Sequence, residues 1–165
     1  DIFIPDVMGR EWQLGTAQMD FSLPERFKLD FINSDGEKER PVVIHRAMLG
    51  SIERFIGILL EHSGGDLPFW LVPNQVNIIP ISDKHLSYSE DLMNELTSLG
   101  YRAYLDDTNE RLGQKIRNSE MKKIPVMIIV GDKEIDSKTV SVRTRSLGDL
   151  GSLSKDELIE KLISL

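Results

Sequence analysis

The side chains whose type and spacing could do chemistry lie in three stretches. In PVVIHRAMLGSIERFIGILLEH, residues 41–62, His45 ends a short apolar run and Arg54 stands just inside an amphipathic repeat. Ser51 precedes that repeat and is a good acceptor for orphan helix N–H groups. A guanidinium beside such donors suits a polyphosphate. In EWQLGTAQMDFSL the apolar positions change parity, from Trp12 and Leu14 to Met19, Phe21 and Leu23, with Gly15 at the break. One extra residue absorbed in a bulge there turns Gln13 and Gln18 onto one sheet face, away from the core. Two amides on one face can read a base, an amine or a carboxylate, or simply meet solvent. His45 lacks clustered His or Cys partners, and alone reads as a core histidine rather than a ligand. His62 and His85 read as ordinary helix-end residues. The third stretch holds Asn109 in DDTNERLG, Glu134 in GDKE and Arg143 in VSVR. By themselves these are a helix-start residue, a turn carboxylate and a surface arginine, although an arginine on an exposed sheet face can bond a splayed RNA base.

The elements that must hold these residues follow from periodicity. Strands over about 12–23, 27–32 and 41–45 predict an antiparallel meander, with a turn at Asn33-Ser34-Asp35-Gly36. Apolar Ile52, Phe55, Ile56, Leu59 and Leu60 recur at helical spacing, so a helix over about 50–62 is expected to pack on that sheet. His45 and Arg54 are then expected to flank one cavity. Asp1 to Ile4 reads as an edge strand already under way, as if the chain were cut from a longer one. About 65 residues of such a layer make a poor core unless more sheet precedes.

Gly64-Gly65-Asp66-Leu67-Pro68 marks a boundary, giving domains 1–67 and 68–165. Beyond it the pattern predicts strands at 76–81, 101–105, 126–130 and 139–143. Helices are expected at 86–99, 112–122 and 154–165, the last opened by a capping box of Ser154 and Glu157. Gly131-Asp132-Lys133 reads as a turn. The order β-α-β-α-β-β-α predicts a small three-layer α/β domain with a mixed sheet.

Composition narrows the classes. The chain is 40% hydrophobic and 28% charged, in the range of globular proteins, and has no cysteine. Disulfides and Cys-based zinc sites within it are therefore excluded. No apolar run is long enough for a membrane span. The net charge of −7 argues against a protein that coats nucleic acid non-specifically. Yet residues 111–143 hold eight Lys/Arg against four Asp/Glu, a locally positive window.

LGSIERF resembles the third signature motif of class II aminoacyl-tRNA synthetases. PVVIHRAMLG and GREWQLGTAQMDFSLPERF narrow the resemblance to the threonyl-tRNA synthetases, over essentially the whole chain. The resemblance implies a C-terminal portion of the α+β antiparallel catalytic domain, followed by an anticodon-binding domain. It implies Arg54 as the motif arginine on the phosphates of ATP with Mg²⁺, and Gln13 at the nucleotide or holding the tRNA-side geometry. Gln18 and His45 are implied at the amino-acid substrate, with His45 one of three ligands to Zn²⁺ whose other two lie outside this chain. Asn109, Glu134 and Arg143 are implied as anticodon contacts. The partners implied are tRNA-Thr, threonine, ATP and a second copy in a homodimer, in the cytoplasm and without a membrane. The first two class II motifs are not present in these 165 residues, so they are expected to be inactive alone. Two alternatives stand beside this reading: a prolyl, glycyl or histidyl synthetase, and a non-catalytic synthetase-like protein that binds RNA.

Overall fold

The structure, a computed structural model, describes every residue from 1 to 165. The chain divides into two compact units, Asp1–Gly65 and Asp66–Leu165.

The first unit runs β1 (Ile2–Pro5), β2 (Glu11–Asp20), α1 (Ser22–Arg26), β3 (Phe31–Ile32), β4 (Lys38–Glu39), β5 (Val43–Ala47) and α2 (Ile52–Ser63). Its main sheet is antiparallel in the order β1-β2-β5. Two differences correct the expected meander. The strand expected to reach residue 23 stops at Asp20, because Asp20 Oδ1 accepts the Ser22 and Leu23 N–H groups at 2.8 and 3.0 Å. That local bond diverts the backbone into α1, whose opening turn also tolerates Pro24. The strand expected over 27–32 shrinks to β3 and pairs only with β4. Asn33 Oδ1 accepts the N–H groups of Asp35 and Glu37, which closes this hairpin on itself.

The helix α2 forms as its spacing dictates. Ser51 Oγ accepts the Arg54 N–H, and Gly64 ends the helix in a left-handed conformation. Its apolar stripe is not covered, however. Ile52 is 64% exposed, and Ile56 and Leu60 are exposed too. Leu14 is the one buried core hydrophobic of this unit. A three-stranded sheet is too narrow to shield both its own face and a helix.

Local order in this unit rests partly on Asp6. Its carboxylate accepts the Met8 and Arg10 N–H groups, the Arg10 guanidinium and the Trp12 indole N–H. The Trp12 bond first, then those from Arg10 and Met8, hold the Asp6 carboxyl far below the usual carboxylate range, against the opposing effect of burial. A depressed folded-state pKa gives stability that is present above the unfolded value and lost as pH falls through the folded one. Amide exchange at Met8 and Arg10 is therefore expected to accelerate as pH drops below about 4, after correction for intrinsic rates. Asp6→Asn should remove that pH dependence. A flat protection profile in the native chain would contradict the assignment.

The second unit runs β6 (Val76–Pro80), a 3₁₀ turn (Asp83–His85), α3 (Leu86–Ser98), β7 (Ala103–Leu105), α4 (Leu112–Met121), β8 (Val126–Val130), α5 (Asp132–Ser137), β9 (Thr139–Thr144), β10 (Gly148–Ser154) and α6 (Lys155–Ile163). The sheet order is β10-β9-β8-β6-β7. β6 is parallel to both β7 and β8, while β9 and β10 join antiparallel, so the sheet is mixed. Val76, Ile78, Val126, Ile128, Val130, Val140 and Val142 form one face and pack with Leu92 and Leu96 of α3 and Leu158 and Leu162 of α6. The alternate residue Asn77 points to the other face, where its Nδ2 donates to Ser119 Oγ of α4 at 2.6 Å. Helices thus cover both faces, the expected three layers. The Ser154–Glu157 capping box forms at the start of α6.

Two elements escaped the sequence pattern. β10 reads Gly-Asp-Leu-Gly-Ser-Leu-Ser, too glycine-rich and polar to look like a strand, yet it pairs with β9 around a bulge at Leu150. The turn expected at 131–133 continues into α5, because Glu134 Oε2 accepts the Gly131 N–H at 2.9 Å and completes the first helical turn.

Candidate functional sites

In the first unit, register builds the site. Phe3 pairs with Gln13 and Ile2 with Gly15, so Leu14 is the extra residue of a bulge. Gln18 pairs directly with His45. Cross-strand partners share a face, and faces alternate along a strand. The bulge therefore places Gln13 on the same face as Thr16, Gln18, Asp20 and His45. Without the extra residue the two glutamines would point oppositely. Gly15 allows the close approach: a Cβ there would lie 3.0 Å from the Ile2 side chain.

The loop before α2 is drawn to the same place. Gly50 has φ +61°, and a Cβ on it would come within 3.2 Å of the Leu14 carbonyl oxygen. A side chain is disfavoured there on both counts. The first turn of α2 is thereby brought to the bulge, and Arg54 with it. Its guanidinium carbon lies 5.8 Å from the centre of the Trp12 ring, and that of Arg10 sits at the same distance. Trp12 pairs with Ile4 and belongs to the opposite face from Gln13. So the structure unites Gln13, Gln18 and His45 on one face and sets Arg54 at the bulge beside Trp12. His45 and Arg54, expected to flank one cavity, have different immediate neighbours.

His45 has a partner that sequence reasoning missed. Its Nε2 lies 3.0 Å from Asp20 Oδ2. The signal was present: Asp20 is two residues from Gln18 on the same strand face, and it precedes the Ser-Leu-Pro of a capped turn. The Asp20 carboxyl is held below its ordinary range, first by the Leu23 N–H, then by the His45 and Ser22 bonds. No three His, Cys, Asp or Glu residues of the chain come together as a metal site. His45 fits a metal only as a single imidazole donor, through the ring nitrogen that Asp20 leaves free.

In the second unit the loops after the parallel strands meet at one sheet edge. His85 is 2% exposed. Its Nδ1 accepts the Ser82 N–H at 3.2 Å, and its Nε2 reaches Asp132 Oδ1 at 3.1 Å. It thus ties the loop after β6 to the start of α5, a larger role than the helix-end position expected of it. Lys84 first, and His85 second, lower the pKa of Asp132. Beside this link, Asn109 lines a cavity of about 200 Å³ with Ile81, Ser82, Asp83, Thr108 and Lys115. Glu134 sits in the first turn of α5, its carboxylate on the Gly131 N–H. Asn109 and Glu134 therefore follow the ends of β7 and β8. Arg143 stands apart: it pairs with Met127, near the beginning of β8, and its guanidinium lies 3.4 Å from Glu120 of α4. Both partners of that pair are well exposed, so the bond is worth little and the guanidinium can be taken up by another acceptor. Arg143 therefore lies away from Asn109 and Glu134.

Comparison with known proteins agrees with this division. Residues 75–165 match the family described as the anticodon binding domain. Residues 2–63 match the tRNA synthetase class II core domain (G, H, P, S and T). A threonine–tRNA ligase of Natranaerobius thermophilus is 52% identical over 98% of this chain and 26% of its own length. One from Deinococcus deserti is 55% identical over 89% of this chain and 23% of its own. The chain thus spans about a quarter of the length of the curated relatives it matches. Among solved structures, the RNA binding domain of threonyl-tRNA synthetase from Cryptosporidium parvum superposes with a TM-score of 0.88. It is 38% identical, covering 98% of this chain and 41% of that one. With more than half its residues in the anticodon binding domain and most of the others in the synthetase core, the chain belongs to the class II aminoacyl-tRNA synthetase family.

Proposed function

We propose that the chain is the C-terminal part of a threonine–tRNA ligase, with core residues over 1–67 and the anticodon-binding domain over 68–165. The observation that carries this reading is similarity at about half identity, along nearly the whole chain, to proteins of that name. In the proposed reaction the threonine carboxylate attacks the α-phosphate of ATP, forming threonyl-adenylate and releasing pyrophosphate, and a hydroxyl of the tRNA terminal ribose then takes the threonyl group, releasing AMP. Arg54 neutralises charge on the phosphates beside Mg²⁺, and Gln13 positions the nucleotide. Gln18 and His45, cross-strand neighbours, hold the amino acid. His45 supplies one imidazole to zinc, which when bound can hold the amine and hydroxyl of threonine together. A site that must bond the hydroxyl rejects valine, which apolar packing alone cannot do well. The uncovered apolar face of α2 supports a longer core domain around this unit. The proposed setting is a cytoplasmic homodimer; no helix is long and apolar enough to cross a membrane.

The test is an amino-acid panel in ATP–pyrophosphate exchange by the longer protein. Threonine should support exchange. Exchange supported by proline, glycine or histidine instead would move the chain to a sister synthetase.

Asn109, Glu134 and Arg143 are proposed anticodon contacts. Arg143→Ala is expected to weaken binding of a tRNA-Thr anticodon hairpin by about 5- to 100-fold, the range of one lost base contact. Glu120→Ala should leave binding intact or strengthen it. Equal affinities for native and Arg143→Ala chains would remove Arg143 from the interface.

A further inference from the structure

We propose that Asp20 is a positioning residue for His45, fixing the ring as the tautomer with its proton on Nε2 and presenting the Nδ1 lone pair to the substrate side of the sheet. The inference rests on the proposed role of His45 at the amino-acid site and deepens it.

Asp20 ends β2 on the same face as Gln18, diagonally across from His45, which Gln18 faces. Its two oxygens have separate tasks. Oδ1 accepts the Ser22 and Leu23 N–H groups at the start of α1. Oδ2 lies 3.0 Å from His45 Nε2. A carboxylate can only accept, so a neutral His45 must donate from Nε2. Nδ1 is then the atom left with a lone pair. Because α1 anchors the carboxylate from behind, ring rotation would break a bond on a fixed acceptor. A carboxylate so placed fixes the tautomer and the ring orientation of a ligating imidazole.

The two oxygens allow the tasks to be separated. In Asp20→Asn the side-chain oxygen can keep the cap on Ser22 and Leu23. The amide nitrogen then faces His45, and as a donor it requires a lone pair on Nε2. The ring should invert to the Nδ1–H tautomer.

The test is long-range ¹H–¹⁵N correlation on the histidine-labelled chain at about pH 8, where an ordinary imidazole is neutral. The native His45 is expected to show an Nε2–H proton slowed in exchange, and Asp20→Asn the opposite tautomer. The Ser22 and Leu23 amide shifts report whether the cap survives. In the longer protein, zinc alone should bind Asp20→Asn about 10- to 100-fold more weakly. A native Nδ1–H tautomer overturns the proposal whether or not the variant folds. So does an unchanged tautomer, or unchanged zinc affinity, in a variant that keeps the cap. Neither readout involves threonine or ATP, so failure of the amino-acid panel with the tautomers as expected would overturn the ligase reading and leave the positioning role standing.

Discussion

Arg54→Ala in the longer enzyme is expected to lower threonine-dependent ATP–pyrophosphate exchange by about 10²- to 10³-fold, the effect of removing one pre-aligned charge from a developing anionic transition state. The expectation follows from how the residue is carried. Ser51 caps α2 and fixes its first turn, while Gly50 presses that turn against the bulge at Leu14. The guanidinium emerges there and rests beside Trp12. A cation on a half-buried ring gains about 0.5–2 kcal/mol, so phosphate oxygens can draw it away at modest cost. Arg54→Lys should not restore the rate, because an ammonium lacks the planar fork that bonds two oxygens at once. The loss should fall mainly on kcat if the arginine grips the transition state, and mainly on KM if it only holds ATP. Full exchange activity in Arg54→Ala would remove the residue from the site.

The second large effect concerns the fold of the C-terminal unit. Ile128 lies in β8, the middle strand of the five, and is fully buried among Leu92, Leu96, Leu158 and Leu162. Ile128→Ala is expected to cost about 2–5 kcal/mol in urea unfolding of this unit. Domains of this size are stable by only about 5–15 kcal/mol, so the variant should lose a large share of its margin. Ile56→Ala in α2 makes the contrast. Its side chain is 46% exposed, and the same truncation should change stability by about 0.5 kcal/mol or less. A loss under about 0.5 kcal/mol for Ile128→Ala would mean that the β8 core does not hold the unit together.

What could be read from sequence depended on whether the signal was periodic. β6 and β8 are short apolar runs bounded by turn signals, and helices α3 and α6 carry apolar residues at helical spacing. The parity change around Gly15 disclosed a bulge, and with it the shared face of Gln13 and Gln18. Polar diversions left weaker traces. Asp20 looks like one more strand residue until its bonds to Ser22 and Leu23 are seen to end β2. Glu134 looks like a turn carboxylate until it closes the first turn of α5. β10 lacks apolar alternation because Gly148 and Gly151 stand where strand formers would be expected, and its pairing with β9 supplies what propensity does not. The link between His85 and Asp132 joins residues far apart in sequence, and no local pattern encodes it. Arg54 was legible as a helix-start cation, but its rest position on Trp12 follows from the loop geometry at Gly50, which sequence spacing does not specify.

The most direct measurement is fluorescence anisotropy of the 165-residue chain with two labelled RNA hairpins, one bearing a threonine anticodon and one identical except for those three bases. At matched salt, the threonine hairpin should bind at least about tenfold more tightly, and Arg143→Ala should reduce that preference. Equal affinity for both hairpins, or no binding to either, would contradict the assignment of this unit as a reader of the threonine anticodon.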